Sequence, residues 1–569
     1  MQEHRPWLRF YGDVPPSLEY PQLTLHDAVM RSVARVPDSI AFDFLGYRRR
    51  YRELGADIER CAAGLASIGL GAGDRITIAM PTCPQGVIAF YAASRLGAVP
   101  AMIHPLSTAP EIEHYLNASG SRIALTLDAF YGKFAEVRAN TPLETLVLAR
   151  IPDCLPLPAR LGFLLTKQRA IPRVPPDPGV RWWSALMSTR GDARAHAGDP
   201  DELAAILFSG GTTGQPKGIM LSHRNLISEG LQVAAWARMQ EGDSILAVLP
   251  IFHGFGLGVC INAALVCGGE AIMVPVFSAE AVAKAMRRRR PNLIAGVPTL
   301  FDALSRDPSL GRSDLSCLRA TFSGADTLPP AVKARFEALV ERRGGHVRLL
   351  EGYGLTEAVS AIMATPLEHY RPGSIGVPFP DMLAKICRPG TTEDVPVGEE
   401  GEICVQGPAV MLGYLDDPEA TAATLRTHAD GRLWLHTGDL GRQDDDGFFY
   451  FSCRLKRMIK SSGFNVYPTQ VEAVLYQHPA VAEACVIGVP DESQVERVEA
   501  VIVPKSGFEA TPALATELIE HCRKHLIKWS CPRRVEFRSD LPRTRVGKID
   551  YKALEQEARS AEARPSGSA

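Results

Sequence analysis

Residues Ser209 to Gly218 read SGGTTGQPKG, directly after the apolar run Leu203 to Phe208. Glycines in such a run let successive backbone N–H groups turn toward one point. The Ser and Thr hydroxyls add donors and Lys217 adds a positive charge, so the segment is suited to cradling a polyphosphate. The spacing G-x-x-x-x-G-K-[ST] is absent, which removes the main support for an ordinary P-loop kinase or ATPase. No G-x-S-x-G elbow occurs either, which disfavours a hydrolase.

Further short motifs follow in order: HGFG at His253 to Gly256, SGAD at Ser323 to Asp326, EGYGLTE at Glu351 to Glu357, TGD at Thr437 to Asp439, RLKRMIKSSGFNVYP at Arg454 to Pro468, and PRTRVGK at Pro542 to Lys548. With SGGTTGQPKG they span nearly the whole chain. The set resembles the adenylate-forming superfamily, which includes acyl-CoA synthetases, luciferases and peptide-synthetase adenylation domains. The resemblance implies an ATP-dependent, AMP-forming acid–thiol ligase. A carboxylate is a poor acyl donor because its leaving group would be oxide. Attack on the α-phosphate of ATP replaces that leaving group with AMP, and a thiol, that of coenzyme A, then takes the acyl group.

The same resemblance assigns roles. Ser209, Gly210, Gly211, Thr212, Thr213, Gly214, Lys217 and Thr356 would contact phosphates. Glu357 would offer an oxygen ligand to Mg²⁺, a hard cation suited to carboxylate and phosphate oxygens. Tyr353 would lie against adenine, with Gly352 and Gly354 beside it permitting close approach, and Gly324 and Ala325 would line the same nucleotide site. Asp439 would accept from the ribose hydroxyls, with Arg454 near the same sugar. His253 is similar to the family's aromatic residue where the carboxylate site meets the acyl pocket. Lys548 is similar to the lysine that bridges the attacking carboxylate and the α-phosphate, where negative charge gathers. Lys456 occupies the hinge position, about which a small domain would carry either Lys548 or the segment of Lys460 and Gly463 inward, giving one site two successive reactions.

The elements that must position these residues read as alternating strands and helices. Asp57 to Ile68 has Ile58, Cys61, Leu65 and Ile68 at helical spacing and leads into the apolar run Ile76 to Met80; Val87 to Leu96 repeats the helical pattern before Val99 to Ile103. That alternation is the pattern of layered α/β structure with crossover helices, and Ile245 to Pro298 is a candidate second copy of the layout. The expected fold is α/β: a large N-terminal domain of layered α/β subdomains over 1–453, with a Pro-rich surface insertion near 151–178, then a small mobile α+β domain over 454–558. In the latter, strands are expected around Val486 to Val489, Ala500 to Val503 and Val535 to Phe537, with a helix from Thr516 to Leu526. The tail 559–569 has no apolar face and is expected to be disordered.

Lys and Arg total 62 against 64 Asp and Glu, and the net charge of -2 gives no global attraction to nucleic acid. The 12 Cys form no CxxC pair and no Cys/His set at zinc spacing, so they read as reduced core residues of a cytoplasmic protein. The N-terminus is charged and broken by prolines, so no export signal is expected. Ser244 to Gly269 lacks charge over a length that could cross a bilayer, but Pro250, His253, Gly254, Gly256, Gly258 and Asn262 interrupt it. A buried strand, a tight turn and a buried helix are expected there instead of a transmembrane helix. The run Arg287 to Arg290 reads as the solvated end of a helix, although a phosphate of coenzyme A could use such charge.

Within the superfamily the chain looks most like fatty acyl-CoA synthetases, on PWLRFYGDVPPSLEYPQLTL, LPLPARLGFLL and RLKRMIKSSGFNVYP. Arg457 is a departure, standing where many relatives have an acidic residue. His253 to Val266, Val297 to Leu300 and Ala358 to Met363, expected to line the acyl site, contain no Asp or Glu, and Gly256, Gly258, Ala263 and Ala361 would leave room for a medium or long aliphatic chain. Same-class and other-class alternatives are a ligase loading a carrier-protein phosphopantetheine, an ADP-releasing phosphoryl-transfer enzyme, and a catalytically silent acyl-nucleotide-binding homologue. Leu155 to Arg169, with Leu and Phe beside Arg160, Lys167 and Arg169, is a candidate for peripheral membrane contact. The oligomeric state stays open, a homodimer being one option.

Overall fold

The computed structural model describes residues 5–166, 171–208, 216–461, 464–491, 495–544 and 549–562. The chain divides into two compact units, Met1–Ala384 with Val405–Leu435, and Lys385–Cys404 with His436–Ala569. The first unit holds two large sheets. One has eight strands and is built on the parallel strands Arg75–Ala79, Val99–Met102, Ile123–Leu127 and Thr145–Ala149. The other has nine and is built on the parallel strands Ser244–Ala247, Glu270–Met273, Leu293–Gly296, Ala320–Ser323 and Leu349–Gly354. The strand and helix alternation therefore occurs twice, and the second copy contains the block anticipated from Ile245 onward.

Local chemistry sets the helices between these strands. Tyr51–Ser67 begins where Glu53 accepts from the Arg50 N–H at 2.8 Å, half of a capping box. Pro84–Leu96 starts on a proline and ends at Gly97, whose φ of 72° places it in the left-handed region that closes helices. Ser222 caps His223–Trp236 by accepting from the Asn225 N–H at 3.1 Å, while Asn225 Oδ1 accepts from the Ser222 N–H at 2.8 Å.

The uncharged stretch from Ser244 to Gly269 folds as strand Ser244–Ala247, a turn, a π-helix over Phe255–Asn262 and the helix Ala263–Cys267, all largely buried. Among the described residues no helix is long and apolar enough to cross a membrane. In the Pro-rich insertion, helix Leu157–Thr166 has no buried residue, and Leu157, Leu161 and Leu165 are 72%, 60% and 73% exposed.

Strands Leu433–Gln443, from His436 onward in the second unit, and Phe449–Arg454 pair antiparallel, with Asp439 opposite Arg454. This ladder joins 436–454 to the second unit, and the division by compactness lies at 435/436. Strand order is a property of pairing and leaves no composition shift at the boundary. Further along, Val481–Asp491 and Val495–Pro504 run antiparallel, and Arg534–Phe537 joins the latter in parallel. Helices Pro468–Leu475 and Pro512–His525 supply Val471, Leu475 and Leu518 to a core with Val486, Val498 and Ile502. These are the α+β elements anticipated there. The last helix, Tyr551–Glu562, continues into the segment expected to be disordered, and Leu554, 1% exposed, anchors it beside Ile487 and Val489.

Candidate active site

In the first unit, four neighbouring parallel strands lead at their C-terminal ends, the edge where open α/β sheets bind ligands, to the nucleotide-site and acyl-site candidates. His253 follows Ser244–Ala247, Val297 follows Leu293–Gly296, Gly324 and Ala325 follow Ala320–Ser323, and Gly352 and Tyr353 end Leu349–Gly354. Gly324 lies against the Gly352 carbonyl and the Phe255 ring. Ala325 has a φ of 68°, a conformation disfavoured for a residue with a Cβ and found here in the turn that leaves the strand.

Thr356 and Glu357 sit in a short 3-10 turn, Thr356–Ala358, between the antiparallel strands Leu349–Gly354 and Ala361–Ala364. The turn ends at Val359, a β-branched residue at φ 64°, ψ -66°. Such strain persists only where surroundings over-determine it. Here Gly354 packs on the Ser360 carbonyl and Gly254 on the Val359 carbonyl, so close that an added Cβ would stand 1.7 Å and 1.8 Å from those oxygens. The second contact brings the His253 turn against the Glu357 turn. Gly352 is different: its built Cβ meets nothing nearer than 3.5 Å, so close packing there does not demand glycine.

Glu357 Oε1 accepts from the Tyr414 hydroxyl at 2.9 Å, and the Met411 N–H donates to the Glu357 carbonyl at 2.8 Å. Lys217 Nζ pairs with Asp417 at 2.9 Å and stands 5.1 Å from the centre of the Tyr414 ring. The hydrogen bond from Lys217, first, and the Ala420 N–H hold the Asp417 carboxyl below its usual range. Burial, then the Glu357 charge, push the Tyr414 phenol well above its ordinary value, so it stays a donor. The flanks of the phosphate-loop motif pair antiparallel, Phe208 opposite Gly218, and Tyr414 lies opposite Ile219 on the next strand. Tyr414 and Asp417 belong to no motif recognised in the sequence; Gly413–Tyr414 is a two-residue strand that only the finished sheet reveals.

The segments expected to line the acyl site show two features that the sequence did not. Gly256 and Gly258 do not leave empty room: a Cβ on them would stand 2.1 Å from the Pro250 carbonyl and 2.5 Å from Glu229 Oε2. The three segments themselves carry no Asp or Glu, but a carboxyl from outside them packs against two of them. Glu229, from helix His223–Trp236, is fully buried between the π-helix and Ala361. It comes from a helix whose apolar spacing marks it only as core-facing. His253 itself is half-buried, and its Nδ1 accepts from the Phe255 N–H at 3.2 Å at the mouth of the π-helix. Winding of this kind concentrates at functional sites.

In the second unit Asp439 is 2% exposed and pairs with Arg454 Nε at 3.1 Å. Thr437 Oγ1 accepts from the Asp439 N–H at 3.1 Å, and Glu402 accepts from the Gly438 N–H at 2.9 Å, fixing the TGD turn. Lys456 lies exposed in the 3-10 turn Leu455–Arg457, inside the second unit. The departure at Arg457 has a local reason: it pairs with Glu472, donates to the Val486 carbonyl at 3.3 Å and stacks over the Tyr551 ring at 4.9 Å. Lys460 is exposed, and its N–H donates to Glu496 at 2.8 Å. Glu402, Cys404 and His436 come within 4.8 Å of one another, a grouping that no sequence spacing announced, yet His436 Nδ1 is already bonded to Glu402 at 2.8 Å. All 12 cysteines are free thiols and most are buried. In the first unit, Arg289 pairs with Glu270 and Asp43, and Arg290 with Asp314. Ser209, Gly210, Gly211, Thr212, Thr213, Gly214, Gly463 and Lys548 lie outside the described residues.

A family model described as AMP-binding enzyme matches residues 29–415, and one described as AMP-binding enzyme C-terminal domain matches 470–548. The chain is 36% identical to a long-chain-fatty-acid–CoA ligase of Bacillus subtilis over 98% of its length and 99% of the relative's. It is 34% identical to the enzyme of the same name from Escherichia coli, over 97% and 98%. Among solved structures, ATP-bound MatB from Rhodopseudomonas palustris superposes with a TM-score of 0.82 at 28% identity, covering 95% of this chain and 100% of that one.

Proposed function

This chain belongs to the AMP-binding enzymes, and from that premise we propose that it activates a medium- or long-chain fatty acid and delivers it to coenzyme A. It is an AMP-forming acid–thiol ligase that uses ATP, Mg²⁺ and coenzyme A: the acid becomes an acyl-adenylate with release of pyrophosphate, and the acyl group then passes to the thiol. The observation that best supports this reading is the linked set Lys217, Tyr414, Glu357 and the Val359 turn, which joins the end of the phosphate-loop motif to the Thr356–Glu357 turn and to His253.

Glu357 fits the cation, since a carboxylate oxygen is the ligand type that Mg²⁺ takes. Bound Mg²⁺ would neutralise phosphate charge while the acid oxygen attacks the α-phosphorus. In this reading Tyr414 holds the Glu357 carboxylate in place, and Lys217 with Thr356 binds the polyphosphate. Tyr353, Gly324 and Ala325 line the adenine side. The His253 imidazole orients the acid where the π-helix begins. Asp439 accepts from the ribose hydroxyls, its orientation set by Arg454 and the TGD turn. Lys548 would stabilise the charge gathering between carboxylate and phosphate.

Finer assignments are part of the same proposal. The small domain, 454–558, turns about Lys456, with Arg457 and its Glu472 partner keeping the residue after the hinge fixed to that domain. Lys460 and Gly463 then act in the thioester step. The exposed leucines of Leu157–Thr166 support reversible membrane contact by a cytoplasmic enzyme. Acid-dependent release of AMP and pyrophosphate, measured across a panel of acids with free coenzyme A and with a carrier protein, tests the reading. ADP as product would overturn the reaction class, and transfer to carrier protein alone would replace the acceptor.

A further inference from the structure

Glu229 is a fully buried carboxyl with no cation beside it among the described residues. Its one described hydrogen bond runs from the Ala361 N–H to Oε1 at 3.3 Å, and Oε2 has no partner among the described residues. Burial pushes the carboxyl up to about 8. Titratable groups on elements packed against its helix are His26, Asp27, Arg31 and Arg35 on Leu25–Arg35, Cys260 on the π-helix and Cys267 on Ala263–Cys267; strands Leu203–Phe208, Gly218–Ser222 and Ala361–Ala364 carry none. His223 and Arg224 share the helix itself. Of all these, only the Cys260 thiol is raised by Glu229.

A lone acid in such a place costs stability that a leucine would not, so its contacts say what it is kept for. Ala361 is the first residue of the strand after the strained Val359 turn, and the ladder between Leu349–Gly354 and Ala361–Ala364 is irregular at that point. The Ala361 N–H therefore bonds to Glu229. On its other side the same carboxyl lies over Gly258 in the helix that begins after His253.

We propose that Glu229 is a positioning residue for acyl-adenylate formation, a buried carboxyl that pins the strand behind the Thr356–Glu357 turn to the π-helix behind His253. This rests on the reading that those two turns bind the phosphates and the acid. The neutral form is the competent one. A carboxylate formed there would be a buried charge with no cation to pair with among the described residues, and its desolvation cost loosens the packing around it, so adenylation falls as pH rises through the alkaline range.

The test compares Glu229→Gln and Glu229→Leu in acid-dependent pyrophosphate release from pH 6 to 9, with hydrogen exchange at the Ala361 amide of the full chain. Gln keeps a neutral acceptor: kcat stays near wild type and the fall above about pH 8 disappears. Leu keeps the volume and loses the acceptor, so kcat drops roughly tenfold with KM for the acid little changed, and Ala361 exchanges faster. Wild-type kcat and wild-type Ala361 exchange in the Leu variant would overturn the proposal, as would a Gln variant as impaired as Leu. Exchange does not depend on turnover, so absence of pyrophosphate release from the wild-type protein would sink the ligase reading while the exchange comparison still decides the anchor.

Discussion

The Tyr414 hydroxyl donates to Glu357 Oε1 at 2.9 Å, and the Lys217 ammonium stands 5.1 Å from the centre of the same ring. One side chain thus links the group assigned to the metal with the single cation of the phosphate-loop motif. A hydrogen bond to a carboxylate is worth roughly 1.5–3 kcal/mol. Tyr414→Phe keeps the ring under Lys217 and removes that bond together with the hydroxyl's contact with Thr424. It is expected to lower kcat/KM for MgATP roughly tenfold, partly recoverable at high Mg²⁺. Unchanged Mg²⁺ dependence would show that Tyr414 does not orient the ligand.

Glycine demands differ sharply within the site. A Cβ at position 254 would stand 1.8 Å from the Val359 carbonyl, whereas one at 352 finds its nearest atom at 3.5 Å. Gly254→Ala is expected to cost roughly 1–3 kcal/mol in thermal unfolding and to displace the strained turn, lowering adenylation. Gly352→Ala should unfold near the wild-type temperature. Equal stabilities of the two variants would contradict the packing described.

Lys548→Ala is expected to cripple acyl-adenylate formation by 10²-fold or more, on the order of what loss of a transition-state charge partner costs. Thioester formation from supplied acyl-AMP should survive. Loss of both half-reactions in a folded variant would count against the proposal that Lys548 acts in the first step alone.

Substrate preference should be read from a series of straight-chain acids. Each buried methylene contributes roughly 0.8 kcal/mol, so four add roughly 3 kcal/mol, on the order of a hundredfold. kcat/KM is expected to climb from acetate until the chain meets the end of its site. A flat profile to dodecanoate, or a maximum on a polar or aromatic acid, would displace the fatty-acid assignment.

The exposed leucines of Leu157–Thr166 give a membrane test with a clear adverse result. Wild-type protein should float with anionic liposomes at low salt, and a variant carrying Leu161→Asp and Leu165→Asp should not. Equal flotation of the two would assign this helix no part in membrane contact.

Much of the chemistry is legible in the chain because it is contiguous there. A run such as SGGTTGQPKG or EGYGLTE sets out its glycines, hydroxyls and charges within a few residues, and apolar periodicity announces the strands and helices that carry them. Motif order along the chain likewise identifies the reaction. The uncharged run from Ser244 to Gly269 is read as strand, turn and buried helix from its glycines and proline, although only hydrogen-bond geometry shows that Phe255–Asn262 winds as a π-helix. Tyr414 meets Glu357, Glu229 meets Ala361, and Arg457 meets Glu472 only once sheets and helices have paired. Pairing between distant segments depends on strand order and burial, which leave no local mark. For the same reason the glycines of the π-helix look like open space in sequence and prove to be close contacts: a missing side chain does not say what will fill its place.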